Sequence, residues 1–201
     1  GCRDLKSYFA INNVNWNSRL PIVFWRGSTT GIVSNGDWRE LPRIMLCKHV
    51  KESPLSHLFD VGISNVVQFD KSIEREILQS GLMRPYASFR DLNKFKYHLD
   101  IDGNSNAWSG LFSKLLSGGL VFKIDSEYSQ WYYDRLLPWK HFIPISTDFN
   151  DLLDKVQWAL NHDDMASRIA YAGFEFAQNI NFTKEIQLTI NKIATHNAAI
   201  E

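Results

Sequence analysis

The stretch KYHLDIDGNSNAWSGLFSKLLSGGLVFKI (96–124) changes its period twice. A short run of strand type over 95–101 gives way to the turn chemistry of Asp102, Gly103 and Asn104. Trp108, Leu111, Phe112 and Leu115 then recur at helical spacing within 107–117, and a second apolar run fills 120–125. Strand, polar elbow, helix and strand make the unit of a parallel sheet. In open sheets of that kind ligands bind outside the carboxyl ends of the strands, which is where this elbow falls.

The same alternation extends outward in both directions. PIVFWRGS (21–28), LFDVGISNV (58–66) and HFIPIS (141–146) read as further strands. RELPRIMLCKHVK predicts a helix with Pro42 in its first turn, and 70–81 predicts another that stops at Gly81. SEYSQWYYDRLL (126–137) predicts a helix ended by Pro138, and 148–176 continues in helical spacing from an N-cap at Thr147 or Asp148. Residues 1–20 are polar and aromatic, NNVNWNSR (12–19) being their least periodic part. The fold class is therefore α/β: a doubly wound, mostly parallel, Rossmann-like sheet with a helical C-terminal tail.

Composition narrows the function classes. Among 201 residues, 22 Lys and Arg balance 22 Asp and Glu, so nothing in the charge argues for a nucleic-acid partner. No apolar run is long enough to span a membrane. Cys2 and Cys47 make no disulfide framework and favour a reducing compartment. The six histidines lack metal-ligand spacing, so no metal is expected. No G-x-G-x-x-G, Walker or G-x-S-x-G pattern is present.

Two elbows carry candidate chemistry. In FWRGSTTG (24–31), Arg26 can fork onto a phosphate, Gly27 permits close backbone approach, and Ser28, Thr29 and Thr30 offer hydroxyls. A turn whose arginine pairs with a surface carboxylate fits the pattern equally well. In the second elbow Asn104, Ser105 and Asn106 are all fair N-caps, more than one helix needs, which favours an anion or hydroxyl site over a bland cap. Glu127, just past a strand end, suits a ribose diol, although a helix's first turn favours an acid for its own reasons. Lys94, Lys96 and Lys123 belong either near the crevice or on the surface, and Trp131, Tyr132, Tyr133 and Trp139 either stack on a ligand or pack in the core.

In this order, FWRGSTTG (24–31), the 96–124 stretch, Glu127, LLPWKHFIPI (136–145) and 148–176 resemble glycosyltransferase family 90, which includes lipopolysaccharide-modifying and capsule-associated transferases and the protein O-glucosyltransferases. The polar DGN elbow is similar to the bacterial lipopolysaccharide branch. The resemblance implies a GT-B architecture of two Rossmann-like domains with the active site between them, the C-terminal one holding a UDP-sugar. It implies an inverting, metal-independent transfer with no cofactor, in which an Asp outside the matched region acts as base, so no catalytic residue is assigned in this chain. Carried over, Arg26, Gly27, Ser28 and Thr29 lie by the diphosphate, and Asp102, Gly103, Asn104, Ser105, Trp108 and Ser109 contact sugar or phosphate. Glu127 holds the ribose, and Lys114 and His141 support the site. Animal members carry an Arg near the position that Ser109 and Gly110 occupy here, with Lys114 a turn further on.

The implied organisation is 1–20 as remnant of or linker from an N-terminal domain, 21–180 as the nucleotide-sugar domain, and 181–201 as a C-terminal helix. The expected partners are a UDP-sugar and a glycan or lipopolysaccharide acceptor, with a cytoplasmic location and peripheral association at the inner face of the membrane. A nucleotide-sugar-binding module without turnover and a structural Rossmann-like domain remain the alternatives.

Overall fold

The computed structural model describes residues 2–33, 36–181, 183, 185–187 and 190–191, the side chains of Cys2, Arg3 and Trp108 excepted. In chain order the elements are α1 (Cys2–Ile11), β1 (Leu20–Ser28), α2 (Pro42–Glu52), β2 (Phe59–Asn65), α3 (Lys71–Gln79), β3 (Phe95–Asp100), α4 (Trp108–Leu116), β4 (Leu120–Ile124), β5 (Ile143–Ile145), α5 (Leu152–Asn161) and α6 (Asp163–Asn179). The five strands form one sheet in the order β2-β1-β3-β4-β5, every neighbouring pair parallel.

Burial on both faces explains why the strands read as near-continuous apolar runs. Val23 and Trp25 of β1 pack with Ile44, Cys47 and Val50 of α2 and with Val156 of α5. Phe24, one residue out of phase, packs on the other face with Leu111, Leu115 and Leu116 of α4. Polar groups also lie within the second layer. His98 is fully buried, with Nε2 3.1 Å from Ser117 Oγ, and Asp100 stands in register with Lys123 of β4.

The order in which strands are added to the sheet reverses once. From β1 the chain crosses to β2 on one side; β3 returns to the other side of β1, and β4 and β5 follow outward. The connections after β1 and β3 therefore diverge, which opens a crevice at their carboxyl ends.

Several expectations change here. Residues 2–11, for which the sequence reading names no element, form α1, whose Phe9 is buried against α4 and whose Lys6 Nζ donates to the carbonyls of Gln178, at 2.8 Å, and Ile180. A ten-residue helix gains little from propensity alone, so it is tertiary contact that fixes it. The helix expected over 126–137 is an irregular loop with one short 3-10 turn at Tyr133–Arg135. Ser126 Oγ accepts from Tyr128 N–H, and Asn106 holds the Ser129 carbonyl and the Gln130 amide, so local side-chain bonds displace the helical ladder. Asp148 caps a turn at Asn150, and α5 begins later, at Leu152. The helix expected over 181–201 lies mostly outside the described residues.

Two stability consequences are measurable. A Cβ at Gly173 of α6 would lie 2.5 Å from the His141 carbonyl oxygen and 2.9 Å from Leu115 Cδ2. Gly173→Ala should therefore destabilise the chain by about 1–3 kcal/mol in denaturant titration, despite alanine's better helix propensity. Burial, with Arg19 and Lys114 adding repulsion, holds the His98 pKa well below its ordinary 6.5. The unfolded chain takes up this proton first, so stability should be intact above about pH 6.5 and fall as pH drops below it. His98→Gln should flatten that slope in melting curves recorded from pH 7.5 to 5.

Candidate active site

A cleft of about 410 Å³ sits at the reversal between β1 and β3. Trp25, Arg26, Gly27 and Ser28 line it from β1, Thr30 from the loop that follows, Ile101 and 103–107 from the elbow after β3, Gly110 and Lys114 from α4, and Arg43 from α2. Gly103 is required by proximity: a Cβ there would stand 2.3 Å from Thr30 Oγ1 and 3.0 Å from Arg43 Nη2. Asn104 Oδ1 accepts from Gly31 N–H at 2.8 Å, so the two elbows expected from sequence are joined directly.

Arg43 binds them together. Its Nη1 donates to the Ser28 carbonyl at 3.1 Å and to Thr30 Oγ1 at 2.6 Å, while Nη2 and Nε donate to the carbonyls of Ile101, at 3.1 Å, and Asp102, at 3.0 Å. Burial lowers its pKa, and Asp100 and Asp102 partly offset that effect. Sequence reasoning missed this residue. Its signal was position: the first turn of the helix that follows the first elbow must face the crevice.

Lys114 reaches the cleft from the far side, its Nζ 2.6 Å from Asp100 Oδ1. Asp100 is 1% exposed, and its Oδ2 has no hydrogen-bond partner. Asp102 accepts from Ala107 N–H through Oδ1 at 2.8 Å, and its Oδ2 is likewise buried without a partner. The lining thus presents Arg26, Arg43 and Lys114 and no carboxylate, with Asp60, Asp100 and Asp102 standing behind them. Helix α4 adds to this field. Its N-cap is Ala107, which has no side-chain oxygen to offer the first-turn N–H groups, and the dipole's positive end meets the cleft.

The remaining sequence candidates divide. Gly27, Ser28, Gly103, Asn104 and Ser105 line the cleft, whereas none of Asn104, Ser105 and Asn106 is the N-cap. Arg26 lines it too, but its guanidinium is engaged by the carbonyls of Pro85, Trp25 and Asp60 and by Asp60 Oδ1. The surface-carboxylate alternative thus describes its contacts. Thr29 is turned away: it is 1% exposed and its hydroxyl exchanges hydrogen bonds with Val67 N–H and C=O. Ser109 and Glu127 are exposed and outside the lining, Glu127 lying in the loop after β4 rather than in a helix. Trp108 opens α4, its side chain lying outside the described residues.

His141 braces a turn instead of the cleft. Its Nδ1 accepts from Leu137 N–H at 2.9 Å and its ring stacks on Phe176, with burial lowering its pKa. Lys94 pairs with Asp91 and Lys96 with Asp163, both away from the cleft. Lys123 is buried with its ammonium over the Tyr133 ring. Tyr132 is core, while Trp131 and Trp139 remain about half exposed. Among the described residues no group of three His, Cys, Asp or Glu side chains could hold a metal ion.

Comparison with known proteins gives the family and the fold. The chain is 35% identical over 164 residues to protein O-glucosyltransferase 2 of Danio rerio, covering 81% of this chain and 29% of that protein. It is 34% identical over 177 residues to protein O-glucosyltransferase 3 of Homo sapiens, covering 88% and 32% respectively. The chain thus spans about a third of the length of these relatives. Its fold is similar to that of TarM, with a TM-score of 0.57 at 16% identity over 90% of this chain and 37% of the other. A TarM mutant from S. aureus, solved with Fondaparinux, alpha-GlcNAc-glycerol and UDP, gives a TM-score of 0.56 at 15% identity over 90% of this chain and 38% of the other. The family model described as glycosyl transferase family 90 matches residues 4–188, and the chain belongs to that family.

Proposed function

We propose that this chain is the donor-binding half of an inverting glycosyltransferase that uses a UDP-sugar. The observation that carries the reading is the cleft at the strand reversal, lined among the described residues by three cations and no carboxylate, into which α4 opens without a side-chain cap. A diphosphate there meets Lys114, the fields of Arg26 and Arg43, and the backbone of Gly27, Ser28, Gly103, Asn104 and Ser105. As the sugar leaves, negative charge grows on the diphosphate, and these fixed groups stabilise it with little rearrangement. No metal or cofactor is needed for that task in this proposal. Glu127, exposed on the loop that Asn106 tethers, takes the ribose hydroxyls.

The acceptor is proposed to be a glycan or lipopolysaccharide, with the acceptor hydroxyl's base supplied from outside these 201 residues. The polar elbow of 102–106, similar to the bacterial branch, supports that choice. The relatives' names, protein O-glucosyltransferases, support a protein acceptor as the second reading. Work at the cytoplasmic face of a membrane follows from a lipid-linked acceptor; no described helix is long and apolar enough to cross one.

Calorimetry with UDP tests the reading. UDP should bind in EDTA as well as in Mg²⁺, and at a hundred times its dissociation constant should add about 2.7 kcal/mol of stability. Lys114→Met should weaken UDP by about tenfold or more while leaving uridine nearly unchanged. No UDP heat at millimolar nucleotide, or loss on chelation restored by Mg²⁺, would sink the proposal.

Arg26→Ala separates scaffold from ligand contact. Four hydrogen bonds are lost and Asp60 is left without its partner, so unfolding should ease by about 1–3 kcal/mol. Arg26→Lys should recover little of it, because a point charge cannot reach the Pro85 and Asp60 carbonyls together. An unchanged melting temperature would show that these bonds contribute nothing.

A further inference from the structure

A second groove, of about 640 Å³, lies at the opposite edge of the sheet, ahead of the strands rather than beyond them. The loop over 13–16 that leads into β1, Gly118 ahead of β4, and Ser167, Arg168, Tyr171 and Phe174 of α6 form its walls, with Arg19 at its base. The lining holds two guanidinium groups, three aromatic rings and no carboxylate. None of it belongs to the donor cleft.

Among the described residues Arg19, a buried cation, has no counter-ion. It is 4% exposed and donates to the carbonyls of Val14, Phe95 and Ser117 and to Asn13 Oδ1, all neutral acceptors. Burial alone lowers its pKa to about 10, with no carboxylate acting against that. Arg168, exposed at the rim, has no ion pair or hydrogen bond with any described residue. Of the nearby acids, Asp163 accepts from Trp16 Nε1 and pairs with Lys96, while Asp164 and Glu175 stand on α6 outside the lining. The described lining therefore presents positive charge and no carboxylate, and a planar guanidinium at its rim matches a carboxylate or phosphate.

The rings say what accompanies the anion. Tyr171 is 60% exposed, and its centroid lies 6.4 Å from that of Phe174 with the planes 34° apart, making an open apolar wall. The C–H face of a pyranose packs on such a wall while its hydroxyls meet amide groups, which Asn13 supplies across the groove. We propose that this groove binds an anionic saccharide, its ring on Tyr171 and Phe174 and its acidic group on Arg168 in the field of Arg19. The choice of a sugar rests on the donor reading above; the demand for an anion rests on the two arginines alone.

Isothermal titration of this chain with tetragalacturonate, glucose 6-phosphate and maltotetraose, each with and without saturating UDP, tests the proposal. At least one anionic probe should bind, more weakly as salt rises, and UDP should not displace it; the tighter of the two identifies carboxylate or phosphate as the preferred group. Arg168→Ala and Tyr171→Ala should each weaken that probe by about tenfold or more, with melting temperature and UDP affinity unchanged. Equal binding of neutral maltotetraose, displacement by UDP, indifference to Arg168→Ala, or no binding at millimolar probe would each overturn it. UDP heats from the same samples report on the donor cleft separately, so failure of one site is not mistaken for failure of the other.

Discussion

A single guanidinium spans the gap on which this architecture turns. Arg43 leaves α2 and donates to both sides of the strand reversal, to Ser28 and Thr30 after β1 and to Ile101 and Asp102 after β3. Diverging connections would otherwise leave those carbonyls facing an open crevice, and buried carbonyls without donors are costly. The junction leaves no space for a side chain on Gly103, whose Cβ would meet Thr30 Oγ1 and Arg43 Nη2. The width of the cleft is thus set by the reach of one arginine.

The charges around it are arranged in depth. Cations line the cavity, and each has a carboxylate behind it: Asp60 for Arg26, Asp100 for Lys114, Asp102 near Arg43. Near-neutrality keeps the folded site from repelling itself, while an anion in the cleft meets only the positive layer at short range. The cations are therefore oriented before any ligand arrives, which lowers the reorganisation that binding requires.

The sheet was legible because fully buried parallel strands leave short apolar runs bounded by turn residues, as in PIVFW and LVFKI. The elbow at 102–104 was legible because glycine and flanking polar residues mark a sharp turn, and the turn does line the cleft. Individual roles were less so. The row of three capping candidates favoured a ligand site over a plain cap; all three line the cleft, and the cap itself falls to Ala107, with Asn104 and Asn106 bonded across to other loops. Arg26 showed its charge in the sequence but not its distant partner, Asp60. Residues 126–137 have helical composition, and only contacts with Asn106 and local serine bonds made them a loop. Helix α1 exists because Phe9 and Lys6 find partners far along the chain, which no local window contains.

The clasp between Lys6 and the carbonyls at the end of α6 has a mechanical consequence. It ties the first helix of the domain to the last long one, so tension pulling residue 2 away from residue 180 would load this ammonium and the packing of Phe9 before any strand pair. Parallel strands resist being sheared past one another, whereas two carbonyl contacts on one lysine peel apart singly. Under such a load α1 would detach first, like a seat belt released from its buckle, and the sheet with its cleft would stay whole.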